Sequence, residues 1–229
     1  MDTNEAKKYY VDNYDKLTWV DQERIKHQKG YDLLKRVIDI VGSLIGLVVS
    51  SLVMAWVAYK IRQEEPHSPI IFKQTRVGRD GKTFTMYKFR SMCIDAEEQL
   101  EGILHKNEVE GAMFKMKEDP RVTNIGKFIR KTSLDELPQL LNVLKGEMSL
   151  IGPRPPLERE VNEYTPHDMQ RLLVKPGCSG LWQVSGRNEV GFEEMVDFDI
   201  EYIQKRSMMN DVKIIWKTIK IMIKPNGAY

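Results

Sequence analysis

IVGSLIGLVVSSLVMAWVAY, from Ile40 to Tyr59, is a run of 20 residues without a charge, and its reading decides the fold. As a helix it would be roughly 30 Å long, about the hydrocarbon thickness of a bilayer. It follows 39 mostly polar residues and is longer than the apolar stretch of a cleaved leader, so it reads as a retained membrane segment. Five basic residues flank it on each side: Arg24, Lys26, Lys29, Lys35 and Arg36 before, and Lys60, Arg62, Lys73, Arg76 and Arg79 after. A spanning helix favours asymmetry. The balance suits a re-entrant helix that dips into one leaflet and leaves both ends in the cytoplasm, with an ordinary span as the alternative. Gly42, Gly46 and Ser50, four apart, would admit a close helical neighbour or are simply small residues tolerated in lipid.

Around that segment the chain is ordinary. Its 229 residues carry 35 Lys plus Arg against 33 Asp plus Glu, a net charge of +2, with 41% hydrophobic and 30% charged residues. This is too apolar for a disordered chain and too weakly basic for a nucleic-acid binder. Cys93 and Cys178 stand apart with four scattered histidines, which excludes a disulfide framework and a zinc knuckle and fits a reducing compartment.

After the apolar run, IIFKQTRV (70–77) and KTFTMYKF (82–89) flank GRDG (78–81), two β-branched and aromatic runs around a turn: a β-hairpin. Helical spacing dominates the remainder: DAEEQLEGILHK from Asp95, VTNIGKFIRK from Val122, Ser133 to Lys145, Phe192 to Arg206, and DVKIIWKTIKIMIK from Asp211. Thr165 before Pro166 reads as a helix start. IGPRPP (151–156) and KPGCSG (175–180) read as loops. In the last helix Lys213, Lys217, Lys220 and Lys224 share a face beside Trp216, which suits either a membrane-interface helix or a core helix with a solvated lysine stripe.

The chemistry concentrates in RKTSLDELPQLLNVLKGEMSLIGPRPP. Ser133-Leu134-Asp135-Glu136 has the form of a capping box, which would place both acids in a helix first turn. Pro138 puts that boundary in question, because the cap could lie a few residues later. Beside the acids are Arg130 and Lys131, and downstream is a Gly-Pro-Arg-Pro loop. Carboxylates with guanidinium groups suit phosphoryl chemistry, where acids attack phosphorus or hold a metal and arginine grips phosphate oxygens in a bidentate fork.

The chain from Lys35 to Lys224 resembles the bacterial sugar transferases, the monotopic polyprenyl-phosphate phosphoglycosyl transferases. The resemblance is carried by KR-x-x-D (35–39), IIFKQTRVGRDGKTFTMYKFRSM (70–92), DPRVTNIGKFIRKTSLDELPQLLNVLKGEMSLIGPRP (119–155), PGCSGLWQVSGRN (176–188), and D-x-x-Y at Asp199 and Tyr202. It implies an undecaprenyl-phosphate sugar phosphotransferase working in two steps, at the start of exopolysaccharide, capsule or glycoconjugate synthesis. Asp135 attacks the β-phosphate of a nucleoside diphosphate sugar, a UDP-hexose first of all, and polyprenyl phosphate then takes the phosphosugar. Asp135 and Glu136 form the catalytic dyad and bind Mg2+, which would screen the repulsion between carboxylate and diphosphate. Arg154 and Arg130 are the phosphate grip, with Gly152, Pro153 and Pro155 shaping the loop at the nucleotide. Arg187 and Asn188 suit the donor, Lys88 and Arg90 the lipid phosphate, and Asp199 the site margin, each against a plain structural reading. The partners implied are the nucleotide sugar, polyprenyl phosphate and inner-membrane lipid, with a homo-oligomer left open and no nucleic acid.

One departure concerns topology. Family members commonly carry Ser-Pro in mid-segment, and here Ser51 is followed by Leu52. A bend would then come from Ser50 and Ser51 bonding back to the preceding turn, or from packing. The expectation is an α+β protein at the cytoplasmic face of the cell membrane: a polar extension over 1–34, a membrane-inserted helix over 35–62, and a mostly helical catalytic body with a hairpin over 63–229. A membrane-anchored phosphohydrolase and a non-catalytic nucleotide-sugar-binding scaffold are the rival readings.

Overall fold

The computed structural model describes residues 18–103, 116, 118–185 and 191–223. A short helix α1 (Gln22–His27), capped by the Asp21 side chain on the Arg24 N–H, leads into α2 (Lys29–Glu64). The unbroken 36-residue α2 contains the whole uncharged run, overshoots it at both ends, and is long and apolar enough to cross a membrane. The serine bonds expected in its middle are present: Ser50 Oγ donates to the Gly46 carbonyl at 2.6 Å and Ser51 Oγ to the Val48 carbonyl at 2.8 Å. The helical pattern nevertheless continues through them.

One side of α2 is fastened to the body along its length. Gly42 and Gly46 let Leu150 and Leu140 approach, while Val57 and Ile61 are buried in a cluster with Phe89 and Ile129. The other side is bare. Val48, Val49 and Leu52 are 73, 76 and 83% exposed, in a field with Leu33, Val37, Val41, Leu44 and Ile45. Each such side chain left in water forgoes about 1 kcal/mol or more, so this face calls for an apolar medium.

The hairpin is as expected: β1 (Ile71–Val77) pairs antiparallel with β2 (Thr83–Phe89) through a turn in which Asp80 and Gly81 take positive φ. Its register sets Phe72, Gln74 and Arg76 with Phe84, Met86 and Lys88 on one face. Next come α3 (Leu100–Ile103) and α4 (Asn124–Lys131), the latter capped by Thr123 on the Gly126 N–H. The helical spacing from Asp95 overreached at its start: residues 94–99 form turns and α3 begins at Leu100.

A 3-10 turn, Leu134–Glu136, precedes α5 (Gln139–Lys145). Then follow β3 (Ser149–Ile151), α6 (Glu158–Val161), a 3-10 stretch (Asp168–Leu173), β4 (Gly177–Ser179), α7 (Leu181–Ser185), α8 (Phe192–Gln204) and α9 (Met208–Ile223). The helix expected to start at Thr165 begins instead at Asp168 and is 3-10; Thr165 closes a turn before it, its hydroxyl accepting from the Asp168 N–H and its own N–H donating to the Asp168 carboxylate. A short parallel pair borders the segments read as loops: β3 ends in the first at Ile151, and β4 lies within the second. On α9, Ile214 enters the core while Val212, Trp216 and Ile219 stay exposed alongside Lys213, Lys217 and Lys220. Lys224 lies outside the described residues.

Candidate functional site

Ser133 adopts a left-handed conformation, φ 57°, and its side chain makes no capping bond, so the capping-box reading of Ser133 to Glu136 does not hold. The conformation costs a non-glycine residue about 1 kcal/mol or more. It turns the chain sharply after α4, and helix α5 starts only after Pro138, as the proline position suggests. The two acids sit between these helices on a tight 3-10 turn instead of in a helical first turn. Asp135 is 8% exposed, whereas Glu136 reaches outward to Lys88 Nζ at 2.8 Å.

Burial pushes the Asp135 carboxyl up to about 6. Lys88 and Arg130 pull it down, and the charge of Glu136 raises it further. At neutral pH the group is therefore mostly an ionised carboxylate, yet a more basic one than a free aspartate. Arg130, on α4, makes no side-chain hydrogen bond among the described residues and acts on Asp135 through its charge.

The Gly-Pro-Arg-Pro loop is laced to the second loop across the β3–β4 pair. Gly152 N–H donates to the Ser179 carbonyl at 2.9 Å and Gly177 N–H to the Pro153 carbonyl at 2.8 Å. The backbones come so close that a Cβ on Gly152 would lie 2.5 Å from the Lys175 carbonyl oxygen, and one on Gly177 would strike the Gly152 nitrogen. Glycine is needed at both for this approach. Pro153 and Pro155 are buried, and Arg154 projects with its guanidinium partly exposed. Its Nη1 is held by the buried Glu160 at 3.2 Å, leaving Nε and Nη2 without a partner among the described residues.

Arg76 joins the two halves. Its guanidinium donates to the Pro155 carbonyl at 3.0 Å and to Gln74 Oε1, and it lies within electrostatic reach of Arg154, Glu160 and Glu136. Burial, with Arg154 alongside, holds it down to about 9. Arg76, Gln74 and Glu160 were not singled out as site residues in the sequence. The signal that could have found Arg76 and Gln74 is the strand alternation that places them on the Lys88 face.

The other expected residues fall in different places. Arg90, just past β2, donates to the Pro69 carbonyl and stacks on Phe72, the partner of Lys88. Asp199 is fully buried beneath the loop: Arg171 grips it at 2.7 and 2.8 Å and also donates to the Arg154 carbonyl at 3.3 Å. Burial raises Asp199 to about 6, against Arg171 and Arg154. It supports the loop from below. Burial and the charge of Glu136 keep the Cys178 thiol, on β4, well above its ordinary pKa and hence protonated. Arg187 and Asn188 lie outside the described residues.

A family model described as bacterial sugar transferase matches residues 30–225. The chain belongs to that family. It is 45% identical over 224 residues to a galactosyl transferase, CpsE, of Streptococcus agalactiae, covering 91% of this chain and 49% of the relative. It is 46% identical over 200 residues to the undecaprenyl-phosphate galactose phosphotransferase of Salmonella typhimurium, covering 86% and 42%. It is 37% identical over 201 residues to the exopolysaccharide production protein ExoY of Rhizobium meliloti, covering 86% and 88%. The chain thus spans about half or less of the first two relatives and most of the third.

For this bacterial sugar transferase, a metal can be tested against the donors present. No group of three or more His, Cys, Asp or Glu converges among the described residues. Two neighbouring carboxylates with no further protein ligand fit magnesium, which is commonly held by one or two carboxylates and completed by substrate phosphates and water.

Proposed function

We propose that this bacterial sugar transferase moves a sugar-1-phosphate from a UDP-hexose to undecaprenyl phosphate through a covalent Asp135 phosphosugar, releasing UMP. The observation that supports it is the buried Asp135 carboxylate, tuned by Lys88, Arg130 and Glu136, with Arg76 between Glu136 and the Arg154 loop. An Asp135 oxygen bonds to the β-phosphorus while the bond from that phosphorus to the bridging oxygen breaks, and UMP departs with the electron pair. An oxygen of the lipid phosphate then attacks the same phosphorus and returns Asp135 as carboxylate. Two steps spare the protein from binding a water-soluble donor and a lipid acceptor at once.

Arg154 offers its open guanidinium edge to the diphosphate, and Glu160 fixes its direction. Arg76 and Lys88 add positive charge around the transferred group. Asp135 and Glu136 would hold magnesium together with the diphosphate; bound there, it supplies charge neutralisation on the phosphate oxygens. Galactose is in the names of two relatives, and it is the first donor to try.

The reading places the protein at the cytoplasmic face, with α2 re-entrant. Two findings support this: the apolar run packs on one body towards both of its ends, and the opposite face is bare. Trp216 and its neighbouring lysines on α9 suit the same interface. The test is Asp135→Asn, incubated with donor labelled in the β-phosphate and sugar and without lipid. We expect no UMP release and no label surviving denaturation on the protein. Label equal to wild type would overturn the assignment.

A further inference from the structure

Of two buried aspartates outside the dyad, one bonds strand β3 directly and the other reaches it through a tyrosine. Asp39, on α2, accepts at a single oxygen, Oδ1, from the Ser149 hydroxyl and from the Leu150 N–H, both at 2.9 Å. Asp211, on α9, accepts at Oδ2 from Tyr31 at 2.9 Å and Lys35 at 2.8 Å, both of α2, and at Oδ1 from Tyr202 at 2.9 Å. The one hydroxyl proton of Tyr202 lies between Asp211 and the Ile151 carbonyl, 3.2 Å away. Ser149, Leu150 and Ile151, the whole of β3, are therefore tied to α2 directly or through Asp211 and Tyr202. The next residue is Gly152 of the phosphate-gripping loop.

The same turn of α2 also holds the other half of the site. Arg36 donates through Nη1 and Nη2 to the Val143 and Leu144 carbonyls, at 2.6 and 2.7 Å, at the end of α5, the helix that follows the dyad. Lys35, Arg36 and Asp39 thus give dyad and loop a common reference on the helix that carries the apolar field. A buried carboxylate is an expensive way to hold a fold together, because burial strips its water and apolar packing often serves as well. Asp39 spends both of its bonds on one strand, and Asp211 ties α2 to the Tyr202 hydroxyl beside that strand, so placement is the better account.

We propose that Asp39 and Asp211 are positioning residues that hold β3, and with it the Arg154 loop, in register with α2, so that a phosphosugar on Asp135 meets an acceptor phosphate at the bilayer surface. This rests on the two-step reading above. The contacts around the donor, Lys88 with Glu136, Arg76 with Pro155 and β3 with β4, lie within the body. Loosening the tether to α2 therefore spares the first step and slows the second.

The experiment uses the full chain in vesicles and reads the steps separately: covalent labelling by donor without acceptor, then transfer of that label to undecaprenyl phosphate. Tyr202→Phe keeps the ring in the core and removes only the hydroxyl. Asp39→Ala removes both bonds to β3, whereas Asp39→Asn keeps an oxygen able to accept both. A misplacement of about 1 Å can cost a hundredfold in rate, and for partial loosening we expect transfer to fall about tenfold in Tyr202→Phe and Asp39→Ala. Labelling should stay within about twofold, and Asp39→Asn should recover most of the transfer rate. Equal losses in both steps, no loss in either, or an Asn variant no better than Ala would overturn the proposal. If Asp39→Ala does not fold, Tyr202→Phe decides alone. Wild-type protein that takes no label would instead strike the two-step reading itself.

Discussion

Replacing Lys88 with methionine should move the acid limb of catalysis. In the proposed reaction the nucleophile is the ionised form of Asp135, so kcat/KM should rise with pH through the free-enzyme pKa of that group, about 6. Lys88 is the largest influence holding the value down against burial, and it also neutralises Glu136 at 2.8 Å. Its loss acts twice in one direction, because Asp135 loses a cation and the neighbouring Glu136 loses one of the positive charges that offset it. Asp135 is buried but the Lys88 side chain is 26% exposed, so solvent screens part of the interaction. We take the upward shift as about one pH unit, or about 1.4 kcal/mol. Beyond a pH-independent loss of the Lys88 charge near the transferred group, activity should then fall about sevenfold more at pH 5.5 than at pH 8, measured as UMP release at limiting donor. Lys88→Arg keeps the charge and should leave the limb near 6. A uniform loss at all pH values in Lys88→Met, with the limb unmoved, would refute the electrostatic reasoning and make Lys88 only a phosphate contact.

Arg154→Lys keeps a charge but loses the fork that Glu160 orients, and should slow UMP release by one to two decades, about 1.5–3 kcal/mol, while the protein stays folded and membrane-bound by flotation. Arg171→Met leaves Asp199 buried without its partner and should destabilise the fold by about 3–5 kcal/mol in denaturant unfolding; adding Asp199→Leu should recover a large part. Leu52→Pro removes the N–H that a regular helix aims at the Val48 carbonyl, but Ser51 Oγ already donates there. Membrane yield should therefore stay within about twofold of wild type, well short of the loss expected of a proline in the middle of a straight spanning helix.

What could be read from the sequence was local. The apolar run of α2 and the hairpin carry their own signals, a length without charge and two β-rich runs around GRDG. The Asp135-Glu136 pair and the Arg154 loop were legible as chemistry because unlike charges cluster within a few residues. The β3–β4 pair was not, since a three-residue strand shows no period and its partner is more than twenty residues away. For the same reason Arg76 read only as a basic flank and Asp199 as a site margin. Their roles depend on Pro155 and Arg171, neighbours that only tertiary packing supplies. KR-x-x-D was visible as a pattern, yet its targets at Asp211, Val143, Leu144, Ser149 and Leu150 lie more than a hundred residues on.

The way α2 is fastened bears on which membranes suit the protein. A helix that crosses a bilayer must match its hydrocarbon thickness, and mismatch is met by tilting, thinning or sorting among compartments. Here the apolar run is pinned to the body on both sides of its midpoint, at Gly42 and Gly46 and again at Val57 and Ile61. If α2 is re-entrant as proposed, the depth it reaches is set by that scaffold and not by the distance to the far surface, and acyl-chain length in a synthetic bilayer should matter little to its seating.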